Sequence, residues 1–165
     1  MEIRHALPSD LDALAAVEAL CFPPEEAAGI DSLRGRLAAY PNHFWLLWDG
    51  PRLVSFVDGP VTRQADLADW MYEDASAHDE AGTWQMIFGV NTIPQYRRQG
   101  WAGRLLRRAI EDAAGQGRKG LVLTCKNALI PYYARFGFVD EGPSSSRHGG
   151  ALWHQMRLTL PPPPV

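Results

Sequence analysis

The sequence predicts an α+β fold, a mixed α/β sandwich in which a mostly antiparallel sheet of six to seven strands is flanked by about four helices. Two apolar runs, Gln85 to Thr92 and Gly120 to Cys125, have the length of buried strands, and a strongly amphipathic helix lies between them. The remaining segments complete the order strand, two helices, β-meander, then β-α-β-α-β-β, which is typical of a layered α+β domain.

The N-terminal third is predicted to contain one strand, two helices and a hairpin. In order, these are a strand over Glu2 to Ala6, a helix after Ser9, a helix from Asp31 to Tyr40, and strands over His43 to Trp48 and Arg52 to Val61. Ser9, with Asp12 three positions on, is typical of a capped helix start, and Pro23 with Pro24 ends that helix. Residues 62–83 follow as a long polar connection, and connections of this length are usually functional or disordered.

The central helix is the clearest element of the sequence. Its apolar positions recur with helical spacing and form one buried face: Ala102, Leu105, Leu106, Ala109, Ile110 and Ala113. Gly115 and Gly117 are expected to end it. Five arginines and no acid lie between Arg97 and Arg108, in a chain of formal net charge -3, so the local field is positive.

Beyond the second apolar run, the sequence predicts a short helix and two more strands. The helix covers Pro131 to Phe136, a strand opens at Phe138, and the last strand covers Ala151 to Leu160. Residues 1–160 therefore form a single predicted domain, and the proline-rich residues 161–165 form a predicted disordered tail.

Composition excludes several classes of protein. An acidic balance with scattered charge argues against a nucleic-acid binder, and no apolar run approaches the length of a membrane span. Two distant cysteines, Cys21 and Cys125, favour a reducing cytoplasm over a disulfide framework. Neither a Cys-x-x-Cys pair nor two histidines at i, i+4 occurs, so no metal site is expected. We expect a cytoplasmic monomer or homodimer.

An anion site is predicted where the first apolar run reaches the central helix. The loop from Arg97 to Gly103 is basic and punctuated by glycine, and the helix that follows offers unpaired N–H groups and the positive end of its dipole. No Gly-Lys-Ser/Thr follows the loop and the glycines are not spaced G-x-G-x-x-G, which argues against a Walker loop and a dinucleotide fingerprint. Gly89 in the preceding strand indicates a bulge or the close approach of a ligand.

This loop resembles the R/Q-x-x-G-x-G/A signature of the GNAT superfamily of acyl-CoA N-acyltransferases. Arg97 or Arg98 heads the motif, Gly100 takes the first glycine place and Ala102 the second. The resemblance implies that acetyl-CoA is the cosubstrate. It places the pyrophosphate on the loop, and the thioester beside an N–H group of the central strand. The implied binding residues are Phe88, Gly89, Val90, Arg97, Arg98, Gln99, Gly100, Trp101, Ala102 and Gly103.

The segment LTCKNALIPYYARFGF, from Leu123 to Phe138, strengthens the resemblance. It is similar to the family's strand, short helix and Gly-Phe pattern, and most similar to the arylalkylamine N-acetyltransferase-like branch. Tyr133 takes the place of the tyrosine that protonates the leaving thiolate. The family's pantetheine-binding asparagine would fall at Lys126, so Asn127 is the displaced candidate. The two catalytic histidines of the branch's animal enzymes fall here at Met86 and Phe88, which cannot accept a proton.

The proton acceptor and the acceptor substrate are less clearly defined. Deprotonating a lysine-like amine at pH 7 costs about 4.6 kcal/mol, so a nearby base is needed. The candidates for substrate contact are Glu25, Glu73, Asp74 and His148. The predicted function is transfer of an acetyl group to a primary amine of a small molecule, by direct attack in a ternary complex. The alternatives are a non-catalytic CoA-binding or regulatory module of this fold, and a generic nucleotide phosphate-binding domain.

Overall fold

The computed structural model describes residues 1–162, which form nine strands and five helices joined by short 3-10 turns. The strands are β1 (Glu2–Arg4), β2 (Phe44–Asp49), β3 (Arg52–Asp58), β4 (Val61–Thr62), β5 (Trp84–Ile87), β6 (Gly89–Thr92), β7 (Gly120–Cys125), β8 (Val139–Pro143) and β9 (His154–Thr159). The helices are α1 (Leu11–Cys21), α2 (Ile30–Ala39), α3 (Trp70–Glu73), α4 (Trp101–Gly115) and α5 (Ile130–Ala134).

The strands form two sheets, ordered β1-β2-β3-β6 and β4-β5-β7-β9-β8. Pairing is antiparallel throughout except between β5 and β7, which run parallel. The predicted α+β fold with a mostly antiparallel sheet is confirmed, with the difference that two sheets replace one. The division falls at Phe88, inside the run that was predicted as one strand. Its N–H donates to the Asp58 carbonyl at 2.7 Å, which shifts the chain from one sheet to the other.

A groove opens where the two sheets separate. β5 and β7 are paired only as far as Ile87 and Leu123. Beyond that point β6 follows β3 and β7 follows β9, so the facing edges of β6 and β7 diverge. The N–H of Ile93 donates to the Val54 carbonyl at 2.9 Å. Because alternate residues of an antiparallel strand bond to its partner, Val90 directs its N–H into this groove.

α4 covers the first sheet and begins at the mouth of the groove. Gly100, at its N-terminus, has a φ of 83°, a left-handed conformation that glycine adopts without strain. The buried face of α4 is the one that its periodicity predicts, and Leu105, Leu106 and Ala109 are fully enclosed. The Trp45 indole N–H donates to Asp112 at 2.8 Å and ties α4 to β2.

Several boundaries differ from the predicted ones for local reasons. Before α1 the chain makes a 3-10 turn, Pro8–Asp10, and Asp10 rather than Ser9 accepts the Leu7 N–H, at 2.7 Å. The connection 62–83 is not wholly irregular, because it holds α3, whose Met71 is buried. The last strand begins at His154, three residues later than predicted.

Of the predicted tail, residues 163–165 lie outside the described residues. Within residues 1–162, no helix has the length and apolarity to cross a membrane.

Gly59 marks a place where two backbones meet with no room for a side chain. A Cβ atom there would lie 1.9 Å from the Met86 carbonyl oxygen. We expect Gly59→Ala to lower the free energy of unfolding by about 3 kcal/mol, because the backbone that joins β3 to β4 must move away from the backbone of β5. Urea denaturation measures the change. Gly115→Ala is the control, since nothing lies within 4 Å of its Cβ position; a loss no larger than in this control would contradict the expectation.

Candidate active site

Two connected cavities lie at the split between the sheets. The outer groove, of about 710 Å³, runs from the β6 edge to the start of α4. Four arginines line it, with no acidic residue among its walls: Arg97, Arg98, Arg107 and Arg135. The inner cavity, of about 100 Å³, lies between α1, α2, α3 and the loop before β9. Val90, Leu129 and Tyr133 line both cavities and form the passage between them.

One end of the outer groove is built on the α4 N-terminus. The first helical hydrogen bond runs from the Arg104 N–H to the Gly100 carbonyl at 3.1 Å, which leaves the earlier N–H groups free for a ligand. Gly100, Ala102 and Gly103 line the groove. Close packing also requires Gly103, because its Cβ position lies 3.3 Å from the Phe136 ring.

The remaining loop residues take positions that the motif alone does not predict. Arg97 and Arg98 line the groove, and Arg97 Nε donates to the Thr92 carbonyl at 2.8 Å. The side chains of Gln99 and Trp101 lie outside the lining and bond to each other, with 3.2 Å between Trp101 Nε1 and Gln99 Oε1. These two residues can therefore reach a ligand in the groove only through their backbone atoms.

Asn127 lies away from both cavities. It begins a 3-10 turn, Asn127–Leu129, and its side chain is exposed. Leu129, two residues on, is the member of this turn that lines the passage.

Tyr133 stands at the junction of the two cavities. Its ring packs edge-on against Tyr132 and Phe138, with centroids 5.1 and 6.2 Å away. Burial raises the pKa of the phenol well above its usual value, so the hydroxyl stays protonated at neutral pH. Within residues 1–162 this hydroxyl has no hydrogen-bond partner, so it is available to a ligand in the passage.

The inner cavity is lined by two carboxyl groups, one guanidinium and several aromatic rings. Glu18 is 5% exposed; its Oε2 accepts the Ala28 N–H at 3.0 Å, and burial raises its pKa to about 7. Glu26 pairs with Lys126 at 2.9 Å. Arg36 lies 3.5 Å from the buried Asp58, which also accepts the Tyr40 hydroxyl at 3.1 Å. Burial nevertheless raises the pKa of Asp58.

Of the predicted acceptor-side residues, the structure brings His148 to the inner cavity. Its Nε2–H donates to the Glu26 carbonyl at 2.8 Å, and its ring stacks on Tyr72 at 4.9 Å. Glu25, Glu73 and Asp74 lie outside the lining and are exposed. Asp74 instead accepts the Ser76 N–H at 2.9 Å and caps a 3-10 turn.

Sequence reasoning missed Glu18, Arg36 and Asp58. One signal was present for the first of them: Glu18 follows Leu14 by four positions and so lies on the apolar arc of α1. A charged residue on a buried helical face is unusual and indicates a polar partner or a function. Met86 and Phe88 are the residues that the resemblance aligns with the histidine pair of the branch's animal enzymes. Met86 is fully buried, and Phe88 packs 4.3 Å from the Tyr72 ring.

A group of three potential metal ligands, His43, His78 and Glu80, lies away from both cavities. His78 Nδ1 accepts the Val61 N–H at 3.0 Å, so its Nε2 carries the proton and points it at Glu80. Arg118 also pairs with Glu80 at 2.7 Å. These bonds describe a hydrogen-bonded network, and the expectation that the chain holds no metal stays a prediction.

A groove of arginines that ends at a helix N-terminus, between strands that have separated, defines a class of protein that binds an acylated, phosphate-bearing cofactor. Residues 11–138 match the model of the acetyltransferase (GNAT) family, so the chain belongs to that family. It is an acetyl-CoA-dependent N-acyltransferase. The resemblance drawn from the loop and the Tyr133 segment is thereby confirmed, and the non-catalytic and nucleotide-binding alternatives are not supported.

Two similar curated proteins share one name. Serotonin N-acetyltransferase of Mesocricetus auratus is 26% identical over 170 residues, which cover 95% of this chain and 81% of that protein. The Homo sapiens protein of the same name is 24% identical over 177 residues, with the same coverage.

Solved structures share the fold across the whole chain. The loading GNATL domain of CurA from Lyngbya majuscula has a TM-score of 0.83 at 17% identity and covers 96% of each chain. The GphF GNAT-like decarboxylase in complex with isobutyryl-CoA has a TM-score of 0.79 at 22% identity, covering 98% of this chain and 100% of its own. The ribosomal-protein-S18-alanine N-acetyltransferase of Escherichia coli has a TM-score of 0.68 at 17% identity, covering 99% and 97%.

Proposed function

We propose that this protein transfers the acetyl group of acetyl-CoA to a primary amine of a small molecule, by direct attack while both substrates are bound. The observation that carries the proposal is that two cavities meet at Val90 and Tyr133, with arginines lining the outer one and the carboxyl groups of Glu18 and Glu26 lining the inner one. The arginine-lined outer groove suits an anionic donor. The inner cavity has the carboxyl groups of Glu18 and Glu26, and its guanidinium, Arg36, is paired with the buried Asp58 at 3.5 Å, so the cavity suits a cationic amine. The passage between them brings the two substrates into contact.

The residues of the outer groove fit coenzyme A. Its phosphates would be held by the free N–H groups at the α4 start and by Arg97, Arg98 and Arg107. When bound, acetyl-CoA supplies the activated acetyl group. The Val90 N–H directed into the groove would donate to the thioester oxygen as negative charge develops on it. The Tyr133 hydroxyl would give its proton to the departing sulfur.

The size and charge of the inner cavity restrict the acceptor. Its 100 Å³ is less than the cavity of about 150 Å³ that admits benzene, so only the amine end of the acceptor enters it. Tyr72, Phe88 and Trp153 line its walls and suit an apolar segment next to the amine. The amine substrate in the name of the serotonin N-acetyltransferase relatives supports an acceptor of this kind. An acyl group bearing a carboxylate, as decarboxylation requires, would meet Glu18 and Glu26, and the Arg36 guanidinium of the same lining is already paired with Asp58 at 3.5 Å.

Direct attack is favoured because the cysteine at the site is unsuited to carry an acetyl group. Burial raises the pKa of Cys125 to about 11, and its Sγ lies 3.5 Å from the Met156 sulfur. A thiol with this pKa is almost entirely protonated at pH 7 and is a poor nucleophile.

We further propose that the protein works in the cytoplasm as a monomer or homodimer, without nucleic acid or membrane.

An assay of CoA release tests the proposal. We expect release with short primary amines and arylalkylamines, at higher kcat/KM than with peptide N-termini, whose amine is attached to a branched carbon next to a peptide bond and fits the small inner cavity less well than an unbranched amine end. A thermal shift on adding CoA, not reproduced by ATP, is the accompanying binding measurement. No release with any amine of the panel would refute the proposal. Release of carbon dioxide from malonyl-CoA in the absence of an amine would also contradict it.

A further inference from the structure

We propose that Glu18 is the proton acceptor for the attacking amine, and that it works through a water molecule held against Gly89. The inference rests on the proposed function, because an amine acceptor is what brings a proton to be removed. The structure offers neither of the histidines that serve this purpose in the relatives' branch, since Met86 and Phe88 hold those positions. A proton acceptor must therefore come from another element.

Three polar atoms converge on one small space beside Gly89. A methyl group built on Gly89 would lie 3.5 Å from Asp58 Oδ1, 3.9 Å from Glu18 Oε1 and 4.0 Å from Asn91 Nδ2. These atoms come from β3, α1 and β6, and Gly89 precedes Val90, whose N–H is directed into the groove. The space is therefore adjacent to the place where the thioester carbonyl would be held.

Two of the three atoms are buried without the hydrogen bond that buried polar atoms normally form. Asp58 Oδ1 and Asn91 Nδ2 are buried and form no hydrogen bond within residues 1–162. Buried polar groups are almost always bonded to protein or to ordered water. One water at this position would accept from Asn91 Nδ2 and donate to Asp58 Oδ1 and Glu18 Oε1, which satisfies all three atoms.

Glu18 is the carboxyl group of this cavity that remains available for proton transfer. Glu26 is held by Lys126 at 2.9 Å, and Asp58 is bonded to Tyr40 and lies beside Arg36. Within residues 1–162, no cationic side chain lies within 4 Å of the Glu18 carboxyl, and the Ala28 N–H holds only its Oε2.

The groups packed around Glu18 set its proton affinity near neutrality. Burial and the neighbouring Asp58 raise its pKa to about 7, against the opposing effects of the Ala28 N–H and Arg36. The other titratable groups of its surroundings are Cys21 on its own helix, Tyr40 on α2, and Tyr72, Glu26 and His148 in the cavity wall. A base with a pKa near the working pH is the most effective.

Each proton of the acceptor nitrogen is accounted for in one acetyl transfer. The acceptor arrives as an ammonium ion and gives one proton to the water, which passes one to Glu18 Oε1. The free amine then forms the N–C bond as the C–S bond breaks, and Tyr133 gives its proton to the thiolate. The second proton of the nitrogen replaces the proton lost by Tyr133. Glu18 releases its proton to solvent after the products leave, so one proton is released per acetyl group transferred.

The test compares pH profiles of kcat/KM for the wild type, Glu18→Gln and Gly89→Ala. In the wild type we expect an ascending limb with a midpoint near pH 7. Glu18→Gln is expected to lose about 10²-fold in kcat/KM at pH 7.5 and to shift this limb to the pKa of the free amine, with an unchanged Kd for acetyl-CoA. Glu111→Gln, an exposed residue on α4, is the matched control.

The Gly89→Ala variant tests the role of the water independently of the role of the Glu18 carboxyl group. The added methyl makes only ordinary contacts of 3.5 Å or more, so the chain is expected to fold while the water is displaced. We expect a loss in kcat/KM similar to that of Glu18→Gln. Carbon-13 NMR of the glutamate carboxyls should show one group that titrates near pH 7 in the wild type and in Gly89→Ala but is absent from Glu18→Gln.

Three results would overturn the inference while leaving the proposed function in place: an unchanged ascending limb in Glu18→Gln, loss of that limb in His148→Gln alone, or a Glu18 carboxyl that titrates near pH 4.5. A wild type that releases no CoA with any amine would instead refute the proposed function, and this inference with it.

Discussion

Tyr133→Phe is expected to lower kcat about 10²-fold to 10³-fold while the Kd for acetyl-CoA changes by less than about twofold. The variant keeps the ring contacts with Tyr132 and Phe138 and removes only the hydroxyl. Because this hydroxyl has no hydrogen-bond partner within residues 1–162, its removal leaves no unsatisfied group behind. Stability should therefore be unchanged, and the loss should fall on the chemical step.

Steady-state kinetics, with calorimetric titration of acetyl-CoA, measure both quantities. Tyr96→Phe is the control, since it removes a hydroxyl that bonds to the exposed Asp49 at 2.6 Å, outside both cavities. Equal kcat values for Tyr133→Phe and the wild type would reduce Tyr133 to a packing residue. A loss that disappears when the leaving group is a more acidic thiol would strengthen its assignment as proton donor.

Gly100→Val is expected to raise the Kd for acetyl-CoA about 10-fold to 100-fold, with little change in kcat at saturation. Gly100 has a φ of 83°, which costs a β-branched residue about 1–3 kcal/mol. Nothing lies within 4 Å of its Cβ position in the protein, so the new side chain would extend into the groove. The valine would therefore both strain the loop and obstruct the approach of the pyrophosphate.

The Gly117→Val variant distinguishes the effect of backbone strain from the effect of obstructing the pyrophosphate. Gly117 has a φ of 75° and equally open surroundings, but it lies past the opposite end of α4. Both variants should lose similar stability in thermal denaturation, whereas only Gly100→Val should lose affinity for acetyl-CoA in calorimetry. Similar affinities for the two variants would show that the loop around Gly100 does not hold the cofactor.

The loop and helix start that line the outer groove were predictable because they are close together in the sequence. The β6 strand, the loop from Arg97 to Gly103 and the start of α4 are consecutive, and the helix period fixes which residues of α4 are buried. Gly100 was identifiable because it takes the first glycine place of the motif, and the structure gives it a left-handed φ of 83°. The groove itself was not predictable, since it exists only because β6 and β7 pair with different neighbours.

The acceptor side depends on contacts that no local pattern encodes. Glu18, Arg36 and Asp58 belong to three elements and become neighbours only after α1 and α2 pack on β3. Glu73 and Asp74, which the sequence offered as candidates, are exposed and lie outside the inner cavity. Asp74 instead caps a turn by accepting the Ser76 N–H.

The divergence of β6 and β7 also bears on the behaviour of the protein when acetyl-CoA is scarce. Each strand leaves part of an edge without a neighbouring strand, and such edges can pair with another chain and start aggregation. A ligand present at 100 times its Kd stabilises the folded state by about 2.7 kcal/mol and covers this region. Light scattering at elevated temperature should therefore show aggregation of the ligand-free protein that CoA suppresses, which makes the solubility of the enzyme depend on the supply of its own substrate.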